Sequence, residues 1–170
     1  GVATGVIDED MNVIVESIVL CQTAKSKNKA VRASSDTISR GRQTFDFVDY
    51  IIYIEQPQVI FAETPSGSQS SAGMKSYGMT CQLIASLTPS PIEVTPDEVK
   101  IAVTGKKTAS KLDMMEWAKT SYPDLEWDLN NNGTMKKKNE HCADACAIVH
   151  AGIKTQQFNQ LFSALKLTRS

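Results

Sequence analysis

An α/β fold built on a mixed β-sheet is what this sequence predicts. Three observations point there. Short β-rich runs recur along the chain: "VATGVID", "NVIVESIVL", "QVIFAE" and "IEVTP". Longer stretches with apolar residues near the helical period stand between and after them. Clusters of Gly, Pro, Ser and Asn punctuate the joints. The 170 residues are enough for one domain with its own core, and residues 1–170 are expected to form one, because no repeat, linker or low-complexity tract divides them.

The first two runs predict strands at Val2–Ile7 and Val13–Leu20, joined as a hairpin through the polar turn "DEDMN". "QTAKSKNKAVRAS" has no apolar period and predicts a mobile loop. A helix is expected from Ser34 to Gln56, capped by Ser35 or Asp36 and ended by Pro57. Its apolar stripe is Ile38, Phe45, Val48, Ile52 and Tyr53. "QVIFAE" is a short buried strand ending in Glu63, and "TPSGSQSS" a turn-rich loop. The next helix, Ser71 to Leu87, presents Met74, Tyr77, Cys81, Ile84 and Ala85 on one side. Gly73 and Gly78 weaken it but would admit a neighbouring backbone. After the strand "IEVTP", Pro96 opens a helical turn that Gly105 closes. Helices follow at Ala109–Thr120 and Asn139–Ala151, with the loop "SYPDLEWDLNNNGTMKKK" between them. An amphipathic segment, Thr155–Leu165, comes last.

The net charge is −1, so no global field argues for a nucleic-acid partner. Local basic clusters nevertheless occur: Lys25, Lys27, Lys29 and Arg32; Arg40 and Arg42; Lys106, Lys107 and Lys111; Lys136, Lys137 and Lys138. Each alone reads as a solvated surface. Four in a neutral chain lean toward a polyanionic partner. No apolar run is long enough to span a membrane, and no signal-peptide pattern is present. Cys21, Cys81, Cys142 and Cys146 sit in apolar contexts and read as reduced, buried, intracellular thiols.

The chemistry concentrates in two places. Glu63 stands at the carboxyl end of an apolar strand, followed by a Gly/Ser-rich loop, where α/β sheets place their ligands. It could equally be the first polar residue after a buried strand. The second place is "NEHCADAC". On a helix, Glu140, His141 and Asp144 share one face near the amino terminus. Glu140 could serve merely to cap the helix. Asp144 lies a turn further in, beside Ala145, Cys146 and Ala147, where a charge is costly unless it binds something. Carboxylates from a strand end and a helix start, converging with an imidazole, suit Mg²⁺ or Mn²⁺. Zinc on Cys142, Cys146 and His150 is the weaker alternative, because no second Cys/His pair exists. A cysteine nucleophile, a nucleophile elbow and a phosphate loop at "GKKTASK" each lack their required context.

These segments together resemble a known family. The hairpin "GVATGVID", the strand "VIFAETPSGSQSS", the segment "VKIAVTGKKTASK" and the helix "NEHCADACAIVHAGI" are similar to RuvC-type Holliday junction resolvases, particularly phage or prophage versions. The likeness runs from Gly1 to about Ile153. It implies a ribonuclease H-like mixed β-sheet flanked by helices, and Mg²⁺-dependent cleavage of DNA at four-way junctions by a homodimer in the cytoplasm of a bacterial or phage-infected cell. It places Glu63 and Asp144 on acids of the family's metal site. His141 falls on a position that is Asp or His in the family, with Glu140 standing behind. Lys106, Lys107 and Lys111 fall where the family contacts DNA, and Lys136, Lys137 and Lys138 are further candidates. The family's first central strand, which carries its first catalytic aspartate, has no counterpart here. The resemblance therefore leads us to expect about ten or more residues ahead of Gly1 that form an apolar strand ending in an aspartate. A catalytically silent junction-binding protein of the same fold, and a nuclease for other branched DNA, are the rival readings.

Overall fold

The computed structural model describes residues 1–67 and 69–168. Ser68, inside the expected loop 64–71, lies outside them. The elements run β1 (Val2–Ile7), β2 (Val13–Val19), α1 (Ala33–Glu55), β3 (Phe61–Glu63), α2 (Ser71–Ser86), β4 (Ile92–Val94), α3 (Pro96–Thr104), α4 (Lys111–Ser121), a 3₁₀ turn (Lys137–Asn139), α5 (Glu140–Gly152) and α6 (Gln156–Thr168). The α/β class and the order of elements are those the sequence predicts.

β1 and β2 form the expected antiparallel hairpin, from Val2 opposite Val19 to Ile7 opposite Val13. The Asp8 carboxylate shapes its turn by accepting the backbone N–H groups of Asp10 (2.9 Å) and Asn12 (2.8 Å). The register shifts between Thr4 and Gly5. Gly5 is required at that bulge, because a Cβ there would collide with the Ile14 carbonyl. β3 and β4 pair in parallel, Phe61 to Ile92 and Glu63 to Val94, with α2 as the crossover. Among the described residues the two pairs are separate two-stranded sheets rather than one mixed sheet.

The helix starts show which capping signals were real. Thr95 and Glu98 make a reciprocal capping box at α3, with Pro96 in the first turn and Gly105 (φ 73°) closing the helix. Ser110 and Asp113 do the same for α4. Neither Ser35 nor Asp36 caps α1; Arg32 occupies the cap position and makes no side-chain cap. Asp36 is buried instead, and its carboxylate accepts the Ser26 N–H at 2.8 Å, tying the basic loop to the helix.

α5 is the centre of packing. It touches α3, α4 and all four strands. Its small side chains make this possible: Ala143, Ala145, Cys146, Ala147 and Ala151 are buried. One apolar cluster joins Val94, Val99, Ala109, Met114, Ala147 and Ala151. A second joins Met115, Ala118, Trp127, Cys142, Ala143 and Cys146, with Val15 and Ile18 of the hairpin against it. At the end of α5, Gly152 leaves room for the Phe61 ring.

α1 and α2 differ from the sequence reading in which faces they turn inward. Ile38 is 66% exposed, Phe45 and Met74 are exposed too, and Tyr53 is 71% exposed. Gly78 admits no neighbouring backbone, since a Cβ there would meet open space. Val48 and Ile52 of the expected α1 stripe and Ile84 of the expected α2 side do face inward: with Ile51, Leu83 and Leu87, the residue that ends α2, they line a cleft of about 970 Å³ between β1 and β3.

Candidate metal centre and its basic surroundings

The site forms where α5 begins. The loop before it is pinned by Asn139, which is buried. Its amide donates to the Asp128 carbonyl at 2.6 Å, and its carbonyl accepts the Asp128 N–H at 3.2 Å. The chain then enters α5 with Glu140, His141 and Asp144 one turn apart. One ligand atom from each lies within 4.8 Å of the others. Glu140 is buried, His141 exposed and Asp144 between the two.

Glu140 forms an ion pair with the Lys111 ammonium, which reaches across from the first residue of α4. That contact raises the Lys111 pKa. Burial raises the Asp144 carboxyl above its ordinary value, and the Glu140 charge adds to it, while His141, Lys111 and the amino terminus pull the other way. Glu63 behaves alike: burial raises it, the Asp144 charge raises it further, and Lys100 opposes. The end of β3 is thus within the field of Asp144, although Glu63 lies outside the 4.8 Å group. The Gly1 backbone is also here, packed so closely on the His141 carbonyl that a Cβ would collide with it.

The donor set is chemically coherent. Two carboxylates and an imidazole, with a third carboxylate at hand, are hard oxygen and nitrogen ligands that suit a divalent cation. Burial is the main reason the Asp144 and Glu63 carboxyls are raised, with neighbouring negative charge second. Lys111 pairs with the adjacent Glu140. Cys142, Cys146 and His150 form no comparable group among the described residues. Burial raises the Cys146 thiol to about 12 and raises Cys142 too. The His150 ring is engaged by the Tyr122 hydroxyl at 2.5 Å.

The lysines divide into two sets. Lys106 and Lys107 lie in the turn between α3 and α4, and Lys111 stands 75% exposed at its ion pair with Glu140. Of this set, Lys111 is the one that reaches the acids. Lys136 and Lys138 both pair with Asp128, Lys136 at 3.6 Å, so the "KKK" run is partly neutralised by its own loop. Lys137 has no ion pair among the described residues. Asn139 and Asp128 were not among the residues singled out from the sequence. A polar side chain immediately before a helix start was the only available signal for Asn139, and the Asp128 contacts are long in sequence for a loop.

No helix among the described residues is long and apolar enough to cross a membrane. No protein-family model matches the sequence, and no curated protein matches it either.

Proposed function

We propose that this chain is a metal-dependent, structure-selective DNA endonuclease of the RuvC type, with a ribonuclease H-like architecture, that cuts phosphodiesters at Holliday junctions or other branched DNA. The observation that carries the reading is the gathering of Glu63, Glu140, His141 and Asp144 where β3 ends and α5 begins, with the Lys111 ammonium paired to Glu140. Asp144, His141 and Glu63 would hold the cation, Mg²⁺ or Mn²⁺. Bound there, it supplies water activation and stabilisation of the leaving oxygen. His141, exposed at the rim, orients the attacking water. Lys111 holds Glu140 in place and keeps an ammonium beside the acids, where a phosphate would arrive. Lys106 and Lys107 extend that positive edge along the DNA backbone. The resemblance also implies a homodimer in the cytoplasm. Exposed Ile38, Tyr50, Tyr53 and Ile54 on α1 offer apolar surface for such pairing.

The ion pair between Lys111 and Glu140 favours a second reading as well. A cation built into the site is what a silent junction-binding protein could use in place of metal. A labelled four-way junction separates the two. The nuclease reading expects nicks with Mg²⁺ and none without it, and expects Asp144→Asn to abolish cutting while junction binding stays. Binding without nicking by the unaltered chain selects the silent protein. Failure to bind the junction removes both.

A further inference from the structure

The segment between Glu16 and Asp46 is strongly one-sided in charge. It carries Lys25, Lys27, Lys29, Arg32, Arg40 and Arg42 against a single acid, Asp36. All of these cations but the half-buried Arg40 are exposed, and none ion-pairs with an acid among the described residues. The one acid is spent on the backbone. Asp36 is buried and accepts the Ser26 N–H, although Arg32 and Arg40 stand one turn away on either side of it. The Arg40 Nε–H is buried and has no hydrogen-bond partner among the described residues. A buried donor of that kind calls for an acceptor.

The sequence predicts a mobile loop after β2, and the structure shows a hydrogen-bonded one. Ser26 Oγ accepts the Asn28 N–H at 3.2 Å, and Asn28 Oδ1 accepts the Ala30 N–H at 2.9 Å. The Asn28 carbonyl accepts the Val31 N–H at 3.1 Å. With the Asp36 anchor, these bonds hold the backbone from which the three lysines project. Cations on an ordered backbone lose less entropy when a rigid polyanion binds. The loop also sets out from the candidate metal centre. Val19 ends β2, and its carbonyl lies 3.9 Å from the Cys142 thiol in the first turn of α5. That turn carries Glu140 and His141, with Asp144 just beyond. From Val19 to Lys25 is at most about 20 Å of extended chain.

We propose that Lys25, Lys27, Lys29 and Arg40 form a second phosphate-backbone contact, which holds a duplex arm of the DNA whose phosphodiester reaches the acids. The proposal rests on the junction-binding reading and adds a surface to it. No aromatic side chain lies between Glu16 and Phe45, so nothing in the segment stacks on bases. The contacts go to phosphate and sugar and carry no sequence preference. An anionic membrane fits less well. Interfacial segments set apolar or aromatic side chains beside their cations, and Val31 is the one large apolar residue from 22 to 32.

The test measures binding of a labelled four-way junction across a range of salt. It compares the unaltered chain, Lys25→Ala/Lys27→Ala/Lys29→Ala and Arg40→Lys. The triple variant should bind about tenfold or more weakly, and its slope of log affinity against log salt should fall by roughly two to three. Arg40→Lys keeps the charge and loses the Nε–H, so it should weaken binding several-fold and leave the slope alone. An unchanged slope in the triple variant, while the unaltered chain binds, overturns the proposal and leaves the junction-binding reading standing. No binding by the unaltered chain overturns both. Full-strength binding by Arg40→Lys overturns the part given to Arg40. The same proteins are tested on anionic lipid vesicles. A triple variant that loses the vesicles and keeps the junction would assign the loop to a membrane surface and overturn the proposal.

Discussion

His150 and Tyr122 form a half-buried polar pair whose protonation can be read from its surroundings. Burial raises the Tyr122 hydroxyl to about 12, so it keeps its proton and donates to His150 Nε2. Burial, with help from Lys154, lowers the His150 pKa, so the neutral ring accepts. Trp117 stands edge-on to that ring, centroids 5.1 Å apart. The linkage has a definite sign. An unfolded histidine takes up a proton near pH 6.5, whereas the folded one does so only at lower pH. Between those values the unfolded state binds more protons, so stability falls as pH drops below about 6.5. Urea unfolding from about pH 7.5 to about pH 5 should show this loss, and His150→Gln should flatten it. An identical slope in the variant would assign the loss to other groups. At this scale the sequence was legible where chemistry broke a pattern, as Asp144 does inside "CADACA". It was silent on Lys111 as the partner of Glu140 and on Asp36 as a loop anchor. Both contacts depend on how distant segments dock, and no local spacing encodes that.

Among the elements, α5 tolerates little change, and Gly152 shows why. Alanine in place of glycine within a helix is ordinarily worth about 1 kcal/mol of added stability. Here the new methyl would enter the Phe61 ring, and overpacking costs about 1–3 kcal/mol. The second effect should win, so Gly152→Ala lowers stability by about 1 kcal/mol or more in denaturant titration. Phe61→Leu in the same chain should recover part of it. A neutral or stabilising Gly152→Ala would mean that the ring moves aside freely. Elements were legible where punctuation was local, as with Pro96 at the start of α3 and Gly105 after it. The Thr95 and Ser110 capping boxes were missed, and the expected helix from Ala109 takes in Ser110, the residue that caps it. Inward faces were less so. Ile38, Phe45 and Tyr53 keep the helical period but look outward, because α1 packs around a cleft and not onto a filled sheet. Strand pairing was legible for the hairpin, whose turn is local, and not for β3 with β4, which meet across a helix.

Across the whole molecule the charges nearly cancel, yet their arrangement does not. Lys111 pairs with a member of the acid cluster, and Lys106 and Lys107 stand a few residues before it in the same basic segment. Replacing all three with Ala should weaken binding to every DNA shape alike. It should also reduce the slope of log affinity against log salt by roughly two to three, nearer two if Lys111 stays with Glu140. An unchanged slope would place the DNA path elsewhere. Lys136 and Lys138, already held by Asp128, should contribute less to that slope. The α/β class emerged from element order alone, because order is one-dimensional information. Whether the strands join into one sheet depends on what lies between β1 and β3, which no periodicity within either strand reports. The outer edges of β1 and β3, which carry no ladder among the described residues, also bear on how the protein behaves in a crowded cell. An uncovered strand edge is a template for any other chain with one, including a second copy of itself. Edge-covering and encounter then compete as rates, and the winner decides between soluble protein and a client for chaperones.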